Sequence, residues 1–227
     1  MATRNFKFSL NEYYHCFNRG IEKRNIFTNE NDKIRFQKLL YLCNGNKELN
    51  FREIPTIDSA YDVDVGKRLI DIGSYAMMDN HHHVLAKERQ EGGISKFMMK
   101  LGTSHSMYFN LCNNRTGRLF EGTFKAVHIK NNEHLKYLFA YIHLNPGALF
   151  GIKPGKLNKH AARKVLQNLR DYKFSSYSDH LDLWRPESKI LNLDTFPKYF
   201  ANIEEYETEM LDWLTYEPTK GNPLFDK

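Results

Sequence analysis

Residues 75–86 read Tyr-Ala-Met-Met-Asp-Asn-His-His-His-Val-Leu-Ala, an otherwise apolar stretch that carries three consecutive histidines. Side chains alternate between the two faces of a β-strand, so a strand here places His81 and His83 on one face and His82 on the other. Two imidazoles on one face form half of a divalent-metal site. The alternative is an exposed, polar end of a strand. The stretch therefore predicts a strand whose two faces differ in chemistry.

A second motif follows 58 residues after His83, where Tyr141 and Asn145 are spaced by about one helical turn. On a helical wheel Tyr141 lies at the edge of an apolar stripe, and Asn145 lies directly above it. Tyr137 lies farther round the helix and is predicted to be nearer solvent. Packing can fix a boundary tyrosine ring while its hydroxyl reaches into a cleft, although many such residues only pack. Tyr141 is thus the better candidate nucleophile. The stripe consists of Leu135, Leu138, Phe139 and Ile142.

The chemistry of these residues makes them useful to one another. A phenol has a pKa near 10 and is a poor nucleophile at pH 7. A divalent ion on the phosphate oxygens would offset the charge of the transition state and orient the phosphorus. His81, His83 and the amide of Asn145 would supply three neutral ligands. The combination predicts metal-assisted cleavage of a phosphodiester, and the absence of a P-loop motif agrees with a reaction that needs no nucleotide.

The order of the elements predicts an α+β fold in which helices cover one face of a small, mainly antiparallel sheet. The longest strand candidate, 67–87, is bent or interrupted near Gly73 and Asp79-Asn80. Asn29 or Asn31, Ser95, and Asn131 or Asn132 are the predicted helix caps, and Pro146 is predicted to end the third helix. The other predicted strands are 11–20 and 120–129, and the predicted helices are 29–43, 95–112, 131–145, 160–172 and 203–214.

Composition limits the class of protein. The 227 residues carry a formal charge of +6, but residues 185–227 hold nine acidic and five basic side chains. The first 184 residues therefore carry about +10, which favours a polyanionic partner such as nucleic acid. Without an apolar run long enough to span a bilayer or a signal-like start, the chain is expected to be cytoplasmic, with no membrane partner. Cys16, Cys43 and Cys112 are widely spaced and are predicted to be reduced, mostly buried thiols.

Several motifs in the same order resemble the REP-associated tyrosine transposases, single-strand transposases of the HUH superfamily. The resemblance covers roughly residues 10–180. The matching motifs are Tyr14-His15 through Asn18-Arg19-Gly20, Ser74-Tyr75-Ala76-Met77-Met78 leading into Asn80-His81-x-His83, residues 117–126, Tyr141-Ile142-His143-Leu144-Asn145-Pro146, and Tyr172-x-Phe174-Ser175-Ser176-Tyr177.

The resemblance implies a ferredoxin-like sheet and a transposase that cleaves single-stranded DNA at hairpin or palindromic elements. Tyr141 would form a 5′-phosphotyrosine link, and His81, His83 and Asn145 would bind Mg²⁺ or Mn²⁺. Residues 1–150 would be the catalytic domain, and 151–227 a basic segment with an acidic helical extension. The family includes both monomers and dimers, so a homodimer is possible. Two positions depart from the family pattern: Asp79 replaces a proline, and His82 replaces a bulky apolar residue.

Basic residues beside the motifs are candidates for contacts with DNA phosphates. Arg19, Arg118 and Lys125 are the predicted DNA-binding residues, with the 153–173 segment as an accessory basic patch. Each has the alternative of a solvated surface charge. Three other functions remain open: a non-cleaving hairpin-binding protein, a relaxase-like initiator and an RNA-binding module. Relaxases normally place the tyrosine before the histidines, which argues against the second.

Overall fold

The computed structural model describes residues 6–49, 60–151 and 157–215. Four antiparallel strands form one sheet in the order β2-β3-β1-β4. Helices α1 and α2 connect β1 to β2 and β3 to β4, which is the ferredoxin-like arrangement. The predicted α+β class is confirmed. The strands are β1 (Tyr13–Arg19), β2 (Ile70–Met78), β3 (His81–Glu88) and β4 (Lys125–Ile129).

A bulge in β2 decides which of its side chains face which layer. The pairing register with β3 shifts between Ile72 and Ser74. A Cβ at the intervening Gly73 would lie 2.7 Å from the ring of Phe196, so glycine permits this close packing. Because the bulge adds one residue, side chains with odd numbers after it face the same side of the sheet as those with even numbers before it. Tyr75 therefore packs with Ile72 in the core beneath α1 and α2.

The predicted long strand is a hairpin whose turn is Asp79-Asn80. Hydrogen bonds from the segment after β1 hold the turn in place. The Asp79 carbonyl accepts from the amides of Ile26 and Phe27, at 2.8 and 3.0 Å. The Asp79 carboxylate accepts from the ammonium of Lys33 at 2.7 Å. An aspartate thus fits where the resembling family has proline.

One face of the sheet is covered by α1 (Glu30–Leu42) and α2 (Gly93–Cys112), and the main hydrophobic core lies between them. Asn29 caps α1 as predicted, since its side chain accepts from the amide of Asp32 at 3.0 Å. Ser95 does not cap α2. The Glu88 carboxylate, at the end of β3, accepts from the amides of Gly93 and Ile94 instead, and the N-cap position is Gly92, three residues before the predicted cap.

The opposite face is partly covered by α3 (Asn132–Leu144), so the helices are not confined to one face. Asn131 caps α3, and Pro146 lies in a short 3-10 helix, Asn145–Phe150, that follows it. Helices α4 (Lys159–Asp171) and α5 (Ile203–Thr215) pack against the outer side of α3 in a separate apolar cluster.

Both lateral edges of the sheet differ from the sequence prediction. β4 begins at Lys125 rather than near residue 120, and residue 120 forms only an isolated bridge to Gly20. At the other edge, the serine-rich segment after α4 pairs with β2. The amide of Ser176 donates to the Tyr75 carbonyl at 2.9 Å, and the amide of Met77 donates to the Phe174 carbonyl at 3.1 Å. This segment covers a strand edge that would otherwise be open.

Within the described residues, no helix is both long enough and apolar enough to cross a membrane. No disulfide joins Cys16, Cys43 and Cys112; the first two are buried and the third is exposed.

Candidate active site

The predicted alternation places His81 and His83 on the face of β3 that α3 covers, which we call the site face. Their ring centroids lie 5.1 Å apart, with the ring planes nearly perpendicular. His83 is buried and His81 is partly exposed. The Nδ1 of His81 lies 2.6 Å from Oδ1 of Asn80, whose amide nitrogen donates to the carbonyl of Lys23. The pair therefore sits at the start of a strand, next to a turn whose side chains are fixed.

A third imidazole joins the pair from the neighbouring strand. Nε2 of His15, on β1, lies 2.7 Å from Nδ1 of His83, and the two rings stack with centroids 4.9 Å apart. Burial, with His134 as a smaller cause, lowers the pKa of His15 to about 3, so the ring is neutral at pH 7. No role for His15 is predicted from the sequence, because only the pairing of β1 with β3 brings it to His83.

Tyr141 lies against these imidazoles. Its ring is edge-on to both His83 and His15, with centroid distances of 5.7 Å in each case. It projects from α3 at the boundary of the apolar cluster between α3 and the sheet, and it is partly exposed. The structure thus brings a phenol, held by packing, beside the two histidines of β3 and β1.

Tyr137 was predicted to be nearer solvent, and this was wrong. It is buried, and its ring lies 4.8 Å from that of Trp213, which comes from α5. Burial raises the pKa of Tyr137 above its ordinary value, and the nearby Tyr141 adds to the shift. A buried phenol that resists ionisation is a poor nucleophile, so Tyr141 is the better placed of the two tyrosines.

Asn145 begins the short 3-10 helix that follows α3. Its side-chain nitrogen donates to the Tyr141 carbonyl at 2.7 Å. This bond ties Asn145 to the residue that carries the phenol, but it does not join Asn145 to either histidine. The amide oxygen is the atom that could act as a ligand, and it takes no part in the bond.

A divalent ion needs several donor atoms that converge on one point. In the described part of the chain, no cluster of three or more His, Cys, Asp or Glu side chains could hold a metal ion. A metal here would therefore depend on His81 and His83, an amide oxygen and oxygens of the substrate. Two neutral imidazoles with an amide oxygen fit a Mn²⁺ or Mg²⁺ ion that leaves positions open for phosphate.

The predicted DNA-binding residues are not placed alike. Arg19 pairs with His81 across β1 and β3, and Lys125 pairs with Phe17 across β4 and β1, so both belong to the site face. Lys125 is exposed, and the nearest carboxylate partner of its ammonium is Glu121 at 3.9 Å. Arg118 is exposed in the loop between α2 and β4, outside the sheet. Arg19 and Lys125 thus flank the histidine pair on a face that α3 leaves partly open.

His82 points into the core, on the face opposite to the candidate site. It is 2% exposed and packs against Phe36, with ring centroids 4.8 Å apart. Neither of its ring nitrogens has a hydrogen-bond partner among the described residues. Burial lowers the pKa of His82 to about 3, with His105 and His81 as smaller causes. The ring therefore serves as an uncharged core residue in place of the apolar one that the resembling family has.

Comparisons with known proteins identify a solved structure with a similar fold. No protein-family model matches the chain, and no curated protein matches it in sequence. Among solved structures, the chain is similar to a REP-associated tyrosine transposase bound to a REP hairpin. The two share a TM-score of 0.50 and 12% sequence identity over 88% of this chain and the whole of the other. At this identity the likeness shows a shared fold, in agreement with the ferredoxin-like sheet described above.

Proposed function

We propose that this chain is a metal-dependent single-stranded DNA endonuclease and strand transferase with Tyr141 as its nucleophile. The observation that carries the proposal is the contact of the Tyr141 ring with His83 and His15, at centroid distances of 5.7 Å. This contact joins the two motifs, 58 residues apart, that were predicted to act together. A fold shared with a REP-associated tyrosine transposase supports the same conclusion.

In the proposed reaction the Tyr141 oxygen loses its proton to solvent and forms a bond to the phosphorus of a DNA phosphodiester. The bond from phosphorus to the 3′-oxygen breaks, and that oxygen takes up a proton. The products are a free 3′-hydroxyl and a 5′-phosphotyrosine link that conserves the energy of the broken bond. Attack by another 3′-hydroxyl reverses the step and joins the strands, so no nucleotide cofactor is consumed.

His81 and His83, with the Asn145 amide oxygen, would hold Mg²⁺ or Mn²⁺. A bound divalent ion would offset charge on the phosphate oxygens during attack. For Asn145 to contribute, its amide oxygen must turn toward the histidines while its nitrogen stays near the Tyr141 carbonyl, 2.7 Å away. Because the His15 ring is neutral, it adds no positive charge beside the ion that would repel it from His83.

The proposed substrate is single-stranded DNA with a hairpin or palindromic element. The similar solved structure was determined with a REP hairpin. On this chain, Arg19 and Lys125 provide positive charge beside the histidine pair, and Phe17 lies partly exposed between them. Basic side chains interleaved with an aromatic ring suit a backbone with unpaired bases.

The test uses a single-stranded hairpin labelled at its 3′ end, incubated with the protein and Mn²⁺ and resolved on a denaturing gel. Wild type is expected to retain the label as a covalent adduct that is lost in Tyr141→Phe. Tyr137→Phe is the matched control because it removes the same hydroxyl one helical turn earlier, and it should keep the adduct. Loss of the adduct in the control but not in Tyr141→Phe would reverse the assignment. Absence of any adduct from wild type, across metals and hairpins, would refute cleavage.

A second function, a hairpin DNA- or RNA-binding protein without cleavage, is favoured by one observation. The Asn145 side chain donates to the backbone of the preceding helix, α3, which is the arrangement expected of an asparagine that only ends a helix. That protein would bind the same hairpin on a native gel but form no adduct on the denaturing gel, and its binding would be unaffected by Tyr141→Phe.

A further inference from the structure

We infer that His15 is a positioning residue: by accepting a hydrogen bond from Nδ1 of His83, it leaves Nε2 of His83 with the lone pair that a metal ion requires. The inference deepens the proposed function and rests on it. It adds a residue from β1 to a site whose proposed ligands come from β3 and from the 3-10 helix that follows α3.

A hydrogen bond between the His15 and His83 rings requires one nitrogen to donate and the other to accept. Nε2 of His15 and Nδ1 of His83 are 2.7 Å apart, and both residues are buried, at 7% and 5% exposure. If His15 donated, the proton of neutral His83 would reside on Nε2 and block coordination there. If His83 donates, Nε2 is deprotonated and can bind the ion. Since Nδ1 of His83 is engaged by His15, coordination through Nε2 is the arrangement that preserves the hydrogen bond.

His81 provides an independent comparison. Its Nδ1 lies 2.6 Å from Oδ1 of Asn80, and the nitrogen of that amide donates to the carbonyl of Lys23 at 3.1 Å. An amide oxygen only accepts, so Nδ1 of His81 carries the proton and Nε2 carries the lone pair. Both histidines of the pair thus have Nδ1 engaged by a neighbour. Asn80 selects the tautomer of His81, and His15 does the same for His83.

The surroundings of His15 hold its ring in place. It stacks on His83 and contacts Phe17 and Tyr141, with ring centroids 5.0 and 5.7 Å away. Tyr141, the proposed nucleophile, therefore packs against His15, the same ring that orients the proposed ligand His83. A partner of this kind on a metal-binding histidine, when removed, typically costs 10–100-fold in metal affinity.

The test measures Mn²⁺ affinity by calorimetry for the full chain and two variants. His15→Phe keeps an aromatic ring but has no acceptor, so its affinity for Mn²⁺ should fall about 10–100-fold. His15→Gln can offer an amide oxygen near the position of Nε2, so it should recover most of the affinity. His128→Phe is the matched control, because His128 lies on β4 on the opposite face of the sheet and should leave the affinity unchanged.

A second readout is the protonation of the His83 ring nitrogens, measured by long-range ¹H–¹⁵N NMR. Wild type should carry the His83 proton on Nδ1, and His15→Phe should lose that preference while its thermal unfolding stays cooperative. Adduct formation by His15→Phe should recover at saturating Mn²⁺, since the defect is in affinity rather than in the nucleophile.

The outcomes separate the two proposals. If wild type binds Mn²⁺ and folded His15→Phe binds it equally well, or if the proton of His83 resides on Nε2, the role of His15 is overturned while cleavage by Tyr141 stands. If wild type binds Mn²⁺ but forms no adduct, the proposed function fails and the affinities of the variants still decide the role of His15. A wild type that binds no Mn²⁺ overturns both.

Discussion

Two groups of imidazoles lie on opposite faces of the same four-stranded sheet, and their surroundings differ. On the site face, His81 and His83 have their Nδ1 atoms engaged by Asn80 and His15. On the core face, His82 is enclosed by aromatic rings, and its two nitrogens have no hydrogen-bond partner among the described residues. Adjacent residues of one type thus differ because strand alternation places one beside polar partners and the next in an apolar core.

The comparison shows that burial alone does not mark a functional histidine. His82 and His83 are both buried, at 2% and 5% exposure. What distinguishes them is the partner: His83 contacts another imidazole and a phenol, whereas His82 contacts Phe36 and Phe120. A perturbed pKa is a pointer to function only when the geometry supplies something for the group to act on.

The largest expected effect sharpens this comparison at adjacent positions. His83→Ala should reduce covalent adduct formation with the hairpin at least about 100-fold, because a proposed ligand is lost beside the nucleophile. His82→Leu should leave adduct formation within a few-fold of wild type, because it changes only the core face. Initial rates at saturating hairpin and Mn²⁺ would measure both. Equal losses in two folded variants would mean that the two faces are not functionally distinct.

The next effect concerns stability and its pH dependence. His82 has a pKa lowered to about 3 in the folded chain, so below pH 6.5 the unfolded chain takes up a proton that the folded chain refuses. The free energy of unfolding therefore has no contribution from this protonation above pH 6.5, and it decreases steadily as the pH falls from 6.5 toward 3. Between pH 7 and pH 5, wild type should lose about 2 kcal/mol more of its free energy of unfolding than His82→Leu.

Urea denaturation at the two pH values would measure this difference. At pH 7, His82→Leu should already be more stable by about 1 kcal/mol, because it removes two polar atoms that are buried without partners. His15 and His105, with pKa values lowered to about 3 and about 4, remain in both proteins, so both proteins keep some acid sensitivity. Parallel pH profiles for the two proteins would contradict the assignment of His82 as a neutral core residue.

Much of this arrangement was predictable because it depends on local periodicity. Alternation along β3 was enough to separate His82 from its neighbours, and the apolar stripe of α3 was enough to place Tyr141 at a boundary. Local capping rules reduced the caps of α1 and α3 to two asparagines each, and Asn29 and Asn131 are the ones that cap.

What the sequence could not predict depends on contacts between distant segments. A helical wheel describes one helix, so it gave no sign that Trp213 of α5 would cover Tyr137. To predict that His15 lies beside His83, the register of β1 against β3 would have to be known. The cap of α2 comes from Glu88, a side chain on the preceding strand. The hydrogen bond of Asn145 to the end of α3 depends on a side-chain rotamer, which residue spacing does not determine.

The smallest expected effect tests whether the site face, rather than the whole basic surface, meets the DNA. Lys125→Ala should weaken binding of the hairpin a few-fold and reduce the slope of log affinity against log salt by about 0.7 to 0.9, the value for one phosphate contact. Lys96→Ala is the matched control, because Lys96 is exposed on α2, which covers the core face. Fluorescence anisotropy over a salt series would resolve the two slopes. If both variants lowered the slope equally, the affinity would come from diffuse positive charge, and the contrast between the two faces would apply to the cleavage chemistry but not to DNA binding.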